Sequence, residues 1–139
     1  MRRNLIHFAL MAGVLAVTGT AAFAQNLQAN IPFDFQVSGK TLPAGQYSLN
    51  RLTMYTGAGW TLRHFGGREA AMAISTSGGV PRPGTHNKPG ALTFKCVGAA
   101  CALQSLYAPG AVSGYAFRAE PRNVDPKVQV ATIRVVRAD

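Results

Sequence analysis

The chain has 139 residues, 47% of them hydrophobic, and its 14 basic against five acidic side chains give a formal charge of +9. A length of this order holds one ordinary domain and excludes a second. The basic excess favours contact with anionic partners.

Arg2 and Arg3 precede an apolar run from Leu5 to Val17, and Ala22-Phe23-Ala24 sets two small side chains around a larger one. This is the layout of a cleaved signal peptide over residues 1–24: Ala22 and Ala24 are read by the peptidase, and Gln25 opens the mature chain. The thirteen residues of the run fall short of the roughly 20 needed to cross the hydrocarbon core. No cysteine at the cut offers an acceptor for lipid. The expectation is an exported protein, periplasmic or extracellular, with no transmembrane span in its mature part. Residues 25–139 then form a single domain with twelve basic and five acidic residues, a formal charge of +7.

In the mature chain Ile31, Phe33, Phe35 and Val37 fall on one face and Asp34 and Gln36 on the other, the pattern of a half-buried strand that Pro32 confines to an edge or a strand start. Ser38-Gly39-Lys40 reads as a turn and Leu42-Pro43-Ala44-Gly45 as a second bend, after which alternation resumes at Tyr47 and Leu49 and runs to Leu52. Thr56 to Gly59 reads as another turn. Trp60, Leu62 and His64 then share one face, and from Ala70 to Thr76 a fourth strand is expected with Met72 and Ile74 inward. Ser77 to Gly90 holds four glycines and three prolines in fourteen residues, which predicts a long loop.

Beyond it, Leu92-Thr93-Phe94 and Leu103-Gln104-Ser105-Leu106-Tyr107 flank Cys96 and Cys101. That arrangement predicts a hairpin whose last facing pair is a disulfide, since exported chains keep such bridges. A redox-active pair would more typically be spaced Cys-x-x-Cys at a helix start. A short strand at Tyr115 to Arg118 and a turn through Pro121 to Pro126 lead to a final strand from Val128 to Val136, apolar on both faces and therefore expected in a two-sided position. Seven or eight short strands with no sustained helical period predict an all-β domain, either a small antiparallel β-sandwich or a partly closed barrel.

The segments Ile31-Pro32-Phe33-Asp34-Phe35-Gln36-Val37 and Lys40-Thr41-Leu42-Pro43-Ala44-Gly45-Gln46-Tyr47 resemble the "IPFxFxV…LPAGxY" signature of a family of small exported β proteins common in acidobacterial-type genomes. The hairpin from Leu92 to Tyr107 is similar to that family's later strand pair. The resemblance implies a β fold and export, and it brings no activity, ligand or catalytic residue. Cysteines at the hairpin tip depart from the family pattern, in which a polar turn is commoner.

Nothing in the sequence assembles a catalytic set, and the expectation is a protein that is not an enzyme. The mature chain has two histidines, His64 and His86, and no Gly-x-Ser-x-Gly, whereas nucleophilic hydrolysis needs a nucleophile, a base and an orienting acid. Asp34, Glu69, Glu120, Asp125 and Asp139 are scattered. Neither a zinc-ligand spacing nor a phosphate-binding glycine loop is present, so no metal and no cofactor is expected. His64, beside Trp60 and Leu62, reads as a hydrogen-bonded core histidine. Candidate membrane-barrel strands fall short of the 9–11 residues such barrels need, and the aromatics lie on the presumed core face.

The expected role is therefore binding or structural, in the envelope or outside the cell. One form is a polyanion-binding module for polysaccharide, lipopolysaccharide or extracellular DNA, with Arg82, His86 and Lys88 in the long loop as its cations. Another is a small apolar-ligand carrier, with Phe33, Phe35, Tyr47, Trp60, Phe94 and Tyr107 lining a cavity. A third is a homo-oligomer formed through an exposed edge strand.

Overall fold

A computed structural model of the chain describes residues 26–54, 57–82, 84, 87–119 and 127–138. The segment assigned to the signal peptide, with Ala22, Ala24 and Gln25, lies outside the described residues. The described chain is all β. Its strands are β1 (Asn26–Ile31), β2 (Phe35–Val37), β3 (Lys40–Leu42), β4 (Gly45–Met54), β5 (Gly57–His64), β6 (Ala70–Pro81), β7 (Gly90–Val97), β8 (Ala100–Tyr107), β9 (Ser113–Phe117) and β10 (Gln129–Arg137).

Eight of them close into a barrel in the order β1-β4-β5-β6-β9-β8-β7-β10 and back to β1. The ring is antiparallel throughout, and pairing of Ser105 with Ala116 and Leu106 with Tyr115 closes it. The expected choice between sandwich and barrel thus resolves as a barrel, with β2 and β3 outside the ring. β2 pairs with β8 in parallel, at Phe35 with Cys101 and Gln36 with Ala102, so the sheet is not purely antiparallel.

Local chemistry accounts for the turns. Ser38 and Gly39 both have positive φ, at 49° and 81°, as the two-residue type I′ hairpin between β2 and β3 requires. Gly98, at φ 60°, occupies the first position of the Gly98-Ala99 turn, where a type II′ hairpin wants glycine. Cys96 and Cys101 face each other across that hairpin and are bridged.

The β2–β3 hairpin fills a seam. β9 reaches β6 only from Ser75 onward and β8 only from Ser105 onward. Below those points β2 takes the edge of β8, and side chains complete the link to β6: Ser38 Oγ donates to Met72 O and Lys40 Nζ to Ala70 O, each at 2.8 Å. The free strand edge belongs to β3, three residues long and carrying Lys40, two features that discourage edge pairing. The strand from Ile31 to Val37 is interrupted at Pro32 and divides into the end of β1 and β2, both paired on two sides.

Several sequence expectations change. Gly57 to Gly59 extend β5, and Ser77 to Pro81 extend β6, because β4 and β9 supply ladder partners that outweigh the glycines; β6 absorbs them with register shifts between Ser75 and Ser77 and between Ser77 and Val80. Met72 and Ile74 point outward, 43% and 55% exposed, while Ala73 is buried. Ala73 stands opposite Trp60, and the small side chain leaves the interior to the indole. On β10 Val130 and Val136 are exposed and Val135 is buried, since a barrel covers only its inner face. β4, β6 and β10, at 10, 12 and 9 residues, are longer than expected.

The barrel interior is packed with side chains, as small barrels usually are. Phe35, Tyr47, Trp60 and Phe94 are fully buried. Edge-to-face contacts join Phe33 to Phe94 at 5.1 Å, Phe35 to Tyr47 at 5.2 Å and Phe35 to Phe94 at 5.3 Å. These rings form the core itself. No helix among the described residues is long and apolar enough to cross a membrane.

Candidate functional site

Cations lie at both ends of the barrel, and the described acids lie at one, which they share with Lys40, Arg63, Arg68 and Lys127. Asp34 follows β1, and Glu69 precedes β6; both lie at the end where β1 finishes and β4 begins. Arg51, Arg82, Lys88 and Arg137 lie at the opposite end, where β4, β6 and β10 finish and β7 starts. That end holds no acidic side chain among the described residues.

Strand alternation positions two of these cations at the mouth. On β4, Tyr47 and Leu49 point inward and are fully buried, and Arg51 continues the same row past the rim, where it is exposed. On β10, Arg137 follows buried Val135 in the same way and stands opposite Leu27. β1 separates the two strands, so both guanidinium groups rise from the inner face on either side of it. Tyr115 on β9, opposite buried Leu106, completes the rim. Its ring meets Trp60 edge-on at 5.5 Å and carries the Arg51 guanidinium at 5.6 Å. Arg51, Arg137, Tyr115, Ser113 and the 108–111 turn border an open pocket of about 340 Å³.

Of the cations expected to act from the loop, Arg82 has a structural post. Its guanidinium donates to the carbonyls of Pro89 at 2.6 Å and Lys88 at 3.5 Å and covers the Tyr107 ring at 5.2 Å. Its N–H also donates to Val112 O at 3.0 Å. Lys88 is half-buried, with its ammonium lying over Gly84. His86 lies outside the described residues. Sequence patterning alone does not reach Arg51, Arg137 and Tyr115. The signal available was the inward row itself, prolonged by two residues at each strand end.

The other end is built around His64. Its ring packs edge-on against Tyr47 at 5.0 Å, beneath Gly45 and Gly67. Its Nδ1 is buried with no hydrogen-bond partner, which corrects the expectation of a satisfied core histidine. Tyr47 donates to Pro43 O at 2.5 Å. Burial, together with the carboxylates of Glu69 and Asp34, pushes its hydroxyl up to about 12. The Asp34 carboxylate accepts the Ala44 N–H at 2.9 Å, fixing the bend before β4. Among the described residues no three histidine, cysteine or acidic side chains group so as to hold a metal ion. No family model, curated protein or solved structure matches the chain.

Proposed function

We propose that this chain is an exported, non-catalytic binding protein that engages an acidic polysaccharide through the basic end of its barrel. The observation that carries this reading is a cationic end with no described acid beside it: Arg51, Arg82, Lys88 and Arg137 lie there, whereas at the other end Asp34 and Glu69 offset part of the charge of Lys40, Arg63, Arg68 and Lys127. A carrier for an apolar ligand has less support, because the large aromatics fill the space such a ligand would need. DNA has less support than a polysaccharide. The basic end presents one pocket with two rim arginines and no row of aromatics for stacking bases. Export is supported by the leader layout and is compatible with the disulfide.

The test expresses the full chain with its leader, recovers the exported fraction and elutes it from immobilised heparin with a salt gradient. Salt competes with such contacts. A mass beginning at Gln25, retention above that of a neutral resin, and earlier elution of Arg51→Glu/Arg137→Glu but not of Arg63→Glu/Arg68→Glu are expected. Equal elution of both double variants, or retention indifferent to salt, would overturn the reading. Tighter, sequence-independent retention on duplex DNA than on heparin would replace polysaccharide by nucleic acid.

A further inference from the structure

The geometry points to a pocket for one anionic sugar unit at the barrel mouth, in which Arg51 and Arg137 together hold its carboxylate, sulfate or phosphate ester. This rests on the polysaccharide reading and names the place and size of what is recognised.

Three features distinguish the mouth from a diffuse positive surface. The first is that the two guanidinium groups belong to strands flanking β1 and border the same pocket. Guanidinium forks match the paired oxygens of carboxylate, sulfate and phosphate groups. The second is preorganisation. Tyr115 holds the Arg51 guanidinium over its ring at 5.6 Å and is itself braced edge-on by fully buried Trp60. Less side-chain freedom is then lost when an anion arrives.

The third is a fixed wall. Gly110 N–H donates to Lys88 O at 3.0 Å and Ala111 N–H to Ala108 O at 3.1 Å. Pro109 packs so closely on the barrel that a Cβ at Gly90 would stand 2.8 Å from its ring. The volume of about 340 Å³ falls at the small end of the roughly 300–1,000 Å³ typical of small-molecule sites. That suits one sugar-sized unit. Fully buried Trp60 lies behind Tyr115 and does not itself line the pocket.

Trp60 is the only tryptophan of the chain, so its indole fluorescence and single indole N–H resonance report on this place alone. The exported protein is titrated with tetragalacturonate, a sulfated heparin disaccharide, inorganic phosphate and neutral maltotriose. A saturable change in the indole signals is expected with the charged oligosaccharides, with maltotriose inert. Half-saturation should weaken at least tenfold in Arg51→Met and in Arg137→Met, and stay unchanged in Arg63→Met. Arg51→Lys keeps the charge but loses the fork and should weaken binding several-fold with an unchanged melting curve; Tyr115→Leu keeps the charge but frees Arg51 and should weaken binding several-fold at a temperature where it remains folded.

The relative strength of tetragalacturonate and the heparin disaccharide identifies the ester or carboxylate preferred, either one supporting the site. An indole unmoved by every probe, with salt-sensitive heparin retention intact, would overturn the pocket and leave the polysaccharide reading standing. Loss of heparin retention as well would overturn both. Inorganic phosphate binding as tightly as the sugars would reduce the site to one for simple anions and overturn the sugar unit.

Discussion

The Arg82 guanidinium lies 5.2 Å from the centre of the Tyr107 ring while it donates to Pro89 O at 2.6 Å. One side chain thereby ties the entry to β7 to the end of β8. Arg82→Ala should lower stability by about 1–3 kcal/mol, from the lost charged hydrogen bonds and ring contact. Arg82→Lys should recover little, because an ammonium cannot fork between two carbonyls and lie flat on the ring. Urea denaturation of the three proteins checks this. A variant as stable as the parent would show that Arg82 is not an anchor.

The bridge between Cys96 and Cys101 closes a loop with a sequence separation of 5. Chain entropy alone assigns such a short loop about 2 kcal/mol. Cys96→Ala/Cys101→Ala should therefore fold, with a lower urea midpoint, and reductant should move the parent midpoint to the same place. A double variant unable to fold would mean that the bridge does more than limit the unfolded chain.

Much of the fold was readable because alternation is local. The rows Tyr47-Leu49 and Trp60-Leu62 and the bridged cysteine hairpin are where their sequence patterns put them, although the ladder runs one pair past the bridge, to Val97 and Ala100. Features fixed by distant partners were not readable. Nothing near Ser77 to Pro81 announces that Ser113 to Phe117 will pair with them. Met72 and Ile74 read as core until Trp60 is known to occupy the space opposite Ala73. The same holds for the candidate site. Arg51, Tyr115 and Arg137 are far apart in the chain and meet only through ring closure at β9–β8 and β10–β1. The sequence pointed to cations clustered in one loop, and Arg82 there is occupied in holding the loop.

A Cβ at Gly45 would stand 2.2 Å from His64 Nε2, on a backbone at φ +153°. Gly45→Ala should cost about 1–3 kcal/mol, as overpacking typically does. In a His64→Ala background the cost should shrink without vanishing, since the backbone conformation still disfavours a side chain. A double-mutant cycle in urea measures the coupling. Additive effects would show that His64 yields freely to the new methyl group.

Tyr47 supplies a pH dependence of known sign. Burial first, then the carboxylates of Glu69 and Asp34, raise its hydroxyl from 10.0 to about 12. The folded chain thus keeps this proton through a range in which the unfolded chain releases it. The contribution is fully present below pH 10 and is lost as pH rises towards 12, at a rate approaching about 1.4 kcal/mol per pH unit. Tyr47→Phe cannot ionise. It should be less stable than the parent by about 1 kcal/mol below pH 10, through loss of the bond to Pro43 O, and its stability should then fall less steeply between pH 10 and 12. Every other ionisable group is common to the two proteins, so the difference between the two urea midpoint curves isolates Tyr47. Curves that run parallel across this window would show that the fold does not hold the Tyr47 proton.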